Sequence, residues 1–424
     1  MEVRKKSYNR QELNIETSGL NQKNLELFFN MIYERQMIWK RRFIDLSPAP
    51  WTDDEILAKF KFCNVYREHD RSCQWEIRNI IMDPDLDIKN LVWKIMVYRT
   101  FNNPETFARA LDKWPNGIPD YDAYDEDEFA AHIEYIRELG LNPFTNAYSI
   151  TGSVIKGDSI DTQFCHTVIP TIHDNIDALT MMIDTARMPE QIVTFLMTLP
   201  SISRFMAHEY YQDFTYIPIY SDKELMKFDQ NDYTNLGPGS SQGVRLIFPK
   251  LKTPEQIHSY DYLLDIADEK LDEIGVEKGE LMPYTQWNKE TKKYDITHAC
   301  NFTYNQIEGA LCEFSKYVRI LNRTGRPRCP EFEARTSTII TQREDDDQEE
   351  FITDLDSLFG HKGARRNKNM SDFTSGKTSN PRGPRGPYKK RPVGVDLAVT
   401  LNVNLNVLNL KPVLQDFKEL FNKN

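Results

Sequence analysis

The sequence predicts a mainly α-helical protein, and three observations carry that reading. Apolar residues recur at helical spacing from residue 25 to about 333. Sustained period-two alternation is rare over that span, and Pro, Gly and Asn clusters punctuate it at intervals suited to helix ends. The breaks fall at 48–50, 83–84, 116–117, 140–143, 152–157 and 236–239. Between them the periodicity places helices over 25–42, 54–63, 72–80, 88–100, 104–111, 125–139, 171–186, 189–199, 203–211, 254–274 and 304–319. No internal repeat is visible.

The flanks differ in kind. Residues 1–24 read as a polar arm and 25–333 as one helical domain. Residues 334–393 are acidic first, then rich in Gly, Asn, Arg and Lys, ending in Arg382-Gly383-Pro384-Arg385-Gly386-Pro387. Such a segment buries too little apolar area to offset its ordering entropy and reads as a flexible linker with a basic end. In 394–424, Val395, Leu397, Val399, Leu401, Val403, Leu405 and Val407 alternate with mostly polar residues before a short amphipathic helix at 410–421. A strand of that length is a sticky edge, so this C-terminal strand and helix are expected to pair with the main domain or with a second copy, giving a homodimer.

Composition narrows the function. The chain has 424 residues and a net charge of −11, which argues against a protein wrapped in nucleic acid over its whole surface but permits a local basic cleft. Part of the negative excess sits in two solvated patches, 120–128 and 344–356. No apolar run is long enough to span a bilayer, and Met1-Glu2-Val3-Arg4-Lys5-Lys6 leads into polar sequence, so a cytoplasmic protein is expected. The six cysteines form no C-x-x-C pair, and His208-Glu209 is not followed by a second histidine. A zinc site is therefore not expected.

Two segments set cations and carboxylates among aromatics. The first runs Phe28-Phe29-Asn30-Met31-Ile32-Tyr33-Glu34-Arg35-Gln36-Met37-Ile38-Trp39-Lys40-Arg41-Arg42, and the second contains Arg67-Glu68-His69-Asp70-Arg71. The plain reading is a charged helix face with local ion pairs, then a turn capping the next helix. The sharper reading is a pocket for an anionic, planar ligand. Arginine's planar fork suits two phosphate oxygens at once, so Arg35, Arg41, Arg42 and Arg67 are candidate phosphate or pyrophosphate ligands. Glu34 and Asp70 would orient them or act as base. Ser375-Gly376-Lys377-Thr378 mimics the end of a phosphate-binding loop, but the leading glycine is replaced by Ser371, so no nucleotide site is read there.

FFNMIYERQMIWKRR, PWTDDEILAKFKFCNVYREHDR, ITGSVIKGDS, LGPGSSQGVRLIF and EGALCEFSKYVRILNRTGRPR stand in this order between about residues 25 and 332. In that order they resemble the α-glutamyl/putrescinyl-thymine pyrophosphorylase family. That family includes phage amino acid:DNA transferases and the helical domain attached to 5-hydroxymethyluracil DNA kinases. Glu34-Arg35, Arg41-Arg42, Arg67 and Asp70 match its pattern, whereas His69 stands where an acidic residue is commoner. Leu199-Pro200-Ser201-Ile202-Ser203 resembles the L-P-G-I-G hairpin of helix-hairpin-helix DNA glycosylases, with serines in place of both glycines. The resemblance thus implies a helix-hairpin-helix glycosylase-like domain with a C-terminal strand-helix appendage.

It also implies candidates further along. Asp213 and Asp232 lie downstream of the hairpin, where the glycosylases place a catalytic Asp. Gly237 and Gly239 of an intact G-P-G-x-x-x-G, together with Lys316, Arg319, Arg326 and Arg328, would face DNA. The implied reaction is displacement of pyrophosphate from a 5-(pyrophosphoryloxymethyl)uracil in double-stranded DNA by an amine, from an amino acid or polyamine, with the base flipped from the stack. Trp51, Tyr66 or Tyr233 could stack on that base. No redox cofactor or pyridoxal phosphate is indicated; a divalent metal could help hold the pyrophosphate. The alternatives are a DNA glycosylase acting on a modified pyrimidine, or a non-catalytic modified-DNA-binding partner of a 5-hydroxymethyluracil DNA kinase. For a phage protein, the compartment would be the host cytoplasm.

Overall fold

A computed structural model describes residues 13–43, 45, 47–145, 163–277, 280–281, 286–288, 293–295 and 302–324. All of them lie in the first of the two units into which the chain divides, Met1–His361. The linker and the C-terminal strand and helix expected from the sequence lie outside the described residues, as do Arg326 and Arg328.

The described chain is mainly helical. Helix α1, Gln22–Phe43, buries Leu25, Phe28, Phe29, Ile32 and Trp39 on one face, and its basic last turn, Lys40-Arg41-Arg42, complements the negative end of the helix dipole. Helix α2, Glu55–Lys59, starts where the Asp54 carboxylate accepts from the N–H groups of Ile56 and Leu57. It is shorter than the helix expected over 54–63. Beyond Lys59 the backbone groups of Phe62, Cys63 and Asn64 bond the side chains of Arg35, Glu313 and Asp70 instead of one another. Tertiary polar contacts thus override local propensity there.

A single turn at Arg67–His69 leads into α3, Arg71–Glu76, which continues as a π-helical turn at Ile77–Ile81. Helix α4, Ile88–Phe101, is buried from Leu91 to its end on every side, as befits the central helix of a bundle. Its Lys94 is satisfied by the carbonyl oxygen of Pro115 at 2.8 Å, Asn116 Oδ1 at 2.9 Å and Asp120 Oδ1 at 2.7 Å. Helices α5, Pro104–Ala108, and α6, Glu126–Glu138, follow, capped by Asn103 and Asp125. The single helix expected over 171–186 is two, α7, Ile169–Asp174, and α8, Ile176–Thr185, broken where Asn175 turns its amide back onto the Thr171 carbonyl.

Helices α9, Pro189–Leu196, and α10, Arg204–Tyr220, are joined by a tight hairpin that buries Leu199 and Ile202 and holds Ser201 at φ 62°. A left-handed backbone is what a glycine would supply there, and serine adopts it at some strain. Helix α10 runs nine residues beyond the expected end at 211, because almost every residue in that stretch is buried. The Gly-Pro-Gly segment, read from sequence as a turn, starts a helix, α11, Pro238–Ile247, with Pro238 in its first turn. The stretch expected as one helix over 254–274 divides into a single turn at Thr253–Ile257, α12, His258–Asp265, and α13, Ala267–Asp272. Two short strands, β1, Gln286–Asn288, and β2, Lys293–Asp295, pair antiparallel with Trp287 opposite Tyr294. Helix α14, Tyr304–Leu321, closes the described chain.

Among the described residues α11 and α14 make the most extensive helix–helix contact. Together with α1, α12 and α13 they enclose one core, which includes Phe28, Val244, Tyr260, Leu311 and Phe314. No helix among the described residues is long and apolar enough to cross a membrane.

Candidate active site

The turn that carries Arg67 meets α10, and through α10 the cluster extends to α4 and α3. Arg67 Nε lies 3.2 Å from Asp70 Oδ2, and its Nη2 lies 3.4 Å from Glu209 Oε2 on α10. The same Glu209 oxygen is 3.4 Å from Nη1 of Arg99, which rises from the buried face of α4. Arg99 in turn grips both oxygens of Asp213 in a bidentate pair and places Nη2 3.4 Å from Glu76 Oε2 at the end of α3. Residues 209 and 213 are one helical turn apart, so both carboxylates share a face of α10.

The interior groups of this network are fully packed: Glu76 and Asp213 are 0% exposed, Arg99 2% and Glu209 3%. Burial penalises every charge here, and partners decide which survive. Burial would raise the Glu209 carboxyl, but Arg67, Arg99 and His208 outweigh it and hold it below its ordinary value. Burial lifts Asp213 to about 6, against the pull of Arg99. Glu76 is raised well above its ordinary value by burial and then by the Asp213 charge. Arg67 keeps its charge, since Glu209 and Asp70 more than offset the cost of its burial.

Two carboxylates beside Arg67 have no cation within ion-pair distance among the described residues. Glu68 is lifted to about 7, chiefly by burial, and Gln306 on α14 bonds it. Glu308 is also lifted to about 7 by burial and by the Glu209 charge, while the Ser240 hydroxyl at the start of α11 opposes the shift. Glu308 reaches the α11 N-terminus because Gly237 has no side chain; a Cβ there would stand 3.3 Å from Glu308 Oε1. The next residue, Gly309, lies against the Arg67 stem, with Arg67 Cδ 3.8 Å from where a Cβ would be, an ordinary contact distance.

Of the residues named from sequence, Arg67, Asp70, Asp213 and Gly237 converge on this cluster. Arg35 joins it from α1. Its Nη2 donates to the Phe62 carbonyl at 3.1 Å, it makes no carboxylate pair among the described residues, and Asp70 is the opposing charge that acts on it most strongly. Burial lowers the Arg35 guanidinium below its ordinary value, and lowers Arg42 too, which also feels Arg35. The Arg42 guanidinium lies over the Trp51 ring at 5.0 Å.

The other candidates sit elsewhere. Arg41 turns away to Glu34 Oε1 at 2.8 Å and to the Trp51 carbonyl, so the structure does not gather all four arginines in one hollow as the sequence suggested. Asp232 accepts from the Asp229 N–H at 2.8 Å within its own loop. Gly239 faces Cys312 on α14, so its lack of a side chain serves helix packing rather than approach to DNA. Lys316 is a clamp and not an open edge: its Nζ is 2.5 Å from Glu313 and 3.2 Å from the Lys61 carbonyl, over the Phe62 ring. Arg319 Nε donates back to the Ser315 carbonyl at 3.1 Å. Tyr66 and Tyr233 are core residues against His69 and Tyr211, which leaves half-buried Trp51 as the accessible ring of the three.

Sequence reading missed Arg99, Glu76, Glu209, Glu68 and Glu308. A signal existed for two of them. Arg99 in Ile-Met-Val-Tyr-Arg-Thr-Phe and Glu76 in Cys-Gln-Trp-Glu-Ile are charges on otherwise apolar helix faces, a pattern that demands a buried partner.

Comparison with known proteins supports the family resemblance read from the sequence. Residues 22–326 match the family model described as 5-hmdU DNA kinase, helical domain. A 5-hmdU DNA kinase of Bacillus phage SP10 is 25% identical over 303 residues, covering 69% of this chain and 44% of that protein, so this chain spans less than half of its relative's length. No solved structure matches the chain. The span of the family match, which takes in α1 through α14 and every residue of the Arg67 network, places this chain in the family of 5-hmdU DNA kinase helical domains.

Proposed function

We propose that this chain is a DNA base-modifying transferase: it displaces pyrophosphate from a 5-(pyrophosphoryloxymethyl)uracil in DNA with an amine from an amino acid or polyamine. The observation that carries the proposal is Arg35. It is a half-buried guanidinium with one carbonyl acceptor and no carboxylate pair among the described residues, beside Arg42 and near Asp70. A guanidinium held at a cost in desolvation with no carboxylate pair among the described residues favours an anion beside it, and a pyrophosphate leaving group is such an anion. The name of the phage relative, a 5-hmdU DNA kinase, supports a substrate derived from 5-hydroxymethyluracil in DNA.

In this reading Arg35 and Arg42 stabilise the charge that develops as the C–O bond to pyrophosphate breaks. Trp51 offers a face for the extruded pyrimidine. The α9–α10 hairpin supports a helix-hairpin-helix contact to a DNA phosphate. Its Ser201 adopts a left-handed backbone of the kind glycine favours, and α10 begins without a side-chain cap. The Arg67–Glu209–Arg99–Asp213 chain acts as scaffold, fixing Arg67 and Asp70 beside the reacting groups.

The test is mass spectrometry of nucleosides after incubating pyrophosphorylated DNA with the protein and a pool of amino acids and polyamines. A new thymine adduct with release of pyrophosphate is expected. A free base with an abasic site would replace the proposal with a glycosylase, and unchanged DNA would favour a binding partner of a separate kinase.

A further inference from the structure

Among the carboxyl groups around Arg67, most are already committed. Asp70 holds Arg67 and the Asn64 N–H; Glu209 lies between Arg67 and Arg99; Asp213 is locked to Arg99; Glu313 holds Lys316 and the Cys63 N–H. Glu76 is sealed in the core. That leaves Glu68 and Glu308. Glu68 Oε2 is cut off from solvent and has no hydrogen-bond partner. Glu308 is half-buried, on the α14 face that meets the start of α11, with the side-chain-free Gly237 directly against Oε1. The fully buried Tyr260 lies within electrostatic reach of Glu308, and its hydroxyl interacts with that of Ser240. Glu308 therefore stands against a helix N-terminus with a buried tyrosine in reach, has no cation within ion-pair distance among the described residues, and has no oxygen sealed off from both solvent and partners, as Glu68 Oε2 is.

We infer that Glu308 is the catalytic base that takes the proton from the incoming ammonium. The inference rests on the transferase reading above. In the step, the donor's R–NH3+ gives one proton to the Glu308 carboxylate and becomes R–NH2. The nitrogen lone pair forms the N–C bond to the C5 methylene. The C–O bond breaks, and its electron pair leaves with pyrophosphate. The product amine carries the positive charge, and Glu308 returns its proton to water. A carboxylate with an affinity for protons near 7 suits this task, since it is a stronger base than an exposed glutamate yet still ionised in a large fraction at neutral pH.

The test uses the full chain, pyrophosphorylated duplex DNA and the same amine pool, with adduct formation followed in single turnovers from pH 5.5 to 8.5. Wild type should show an acid limb with a midpoint near 7. Glu308→Gln should lower the rate about 10²- to 10⁴-fold, with DNA binding unchanged and partial recovery in Glu308→Asp. Ser240→Ala removes the hydroxyl that favours the ionised form, and should move the acid limb to higher pH. A Gln variant within threefold of wild type, or a Ser240→Ala profile that does not move, would overturn the assignment. The serine variant decides the matter if the Gln variant fails to fold. Absence of any adduct with wild type would instead bring down the transferase reading itself, and this assignment with it.

Discussion

Arg99 is held by Glu76, Glu209 and Asp213 in a place where no solvent shares the load. Removing one partner from such a set leaves a charge buried without compensation, at a cost of about 3–5 kcal/mol. Arg99→Met should therefore destabilise the fold by that order in chemical denaturation, and a variant as stable as wild type would contradict the buried network. The carboxylates near Arg67 add a pH signature. The folded Glu308 titrates near 7, above the ordinary 4.5, so its contribution to stability is complete below 4.5 and is lost as pH rises through 7. Between pH 5 and 8 wild type should thus lose stability relative to Glu308→Gln, by on the order of 2–3 kcal/mol. For His208 the direction reverses. Its folded value falls to about 4 from 6.5, mainly through burial, so the unfolded chain takes up the proton first and stability is lost as pH drops from 6.5 towards 4. Urea titrations of both proteins at several pH values measure the difference, and parallel curves would show that Glu308 is not buried as described.

At the scale of elements, the contact between α11 and α14 positions Glu308. A Cβ on Gly243 would overlap the backbone carbonyl of Leu311, which cannot move without distorting α14, whereas a Cβ on Gly239 would meet the Cys312 sulfur, which can rotate. Gly243→Ala should accordingly lower the melting temperature more than Gly239→Ala, with a loss of about 2–3 kcal/mol or more. The reverse order in thermal unfolding would mean the two helices pack differently. The same elements show what was legible in the sequence. Helices α1, α6 and α14 have clear apolar periodicity and α4 is a nearly continuous apolar run, and their observed ends fall within a few residues of the expected ones. Helix α11 was hidden by its glycines, which lower helix propensity but are required for the close approach to α14. The loop after α2 looked helical because the bonds that unwind it come from residues far along the chain, Glu313 among them.

For the whole molecule the lesson about the site is similar. Arg35, Arg67 and Asp70 were visible because each stands in a local cluster of charges and aromatics. Glu209 was not, since it meets Arg67 across 142 residues and Arg99 across 110, and no local pattern encodes that pairing. The arginines that looked equivalent in sequence are divided by the fold: Arg35 feels Asp70, Arg42 lies over Trp51, and Arg41 is paired with Glu34. With a net charge of −11, the chain as a whole offers anions little long-range attraction, so under the transferase proposal recognition of a pyrophosphorylated base would rest on local guanidiniums, Arg35 first.

That division gives the most direct measurement of the account: single-turnover adduct formation on pyrophosphorylated DNA by Arg35→Gln and Arg41→Gln, each checked for folding by thermal unfolding. Arg35→Gln should stay folded, because its charge is buried at a cost, and should lose about 10²- to 10³-fold in rate. Arg41→Gln should remain within a few fold of wild type. An Arg35 variant with wild-type turnover, or a larger loss in the Arg41 variant, would contradict the placement of the pyrophosphate beside Arg35.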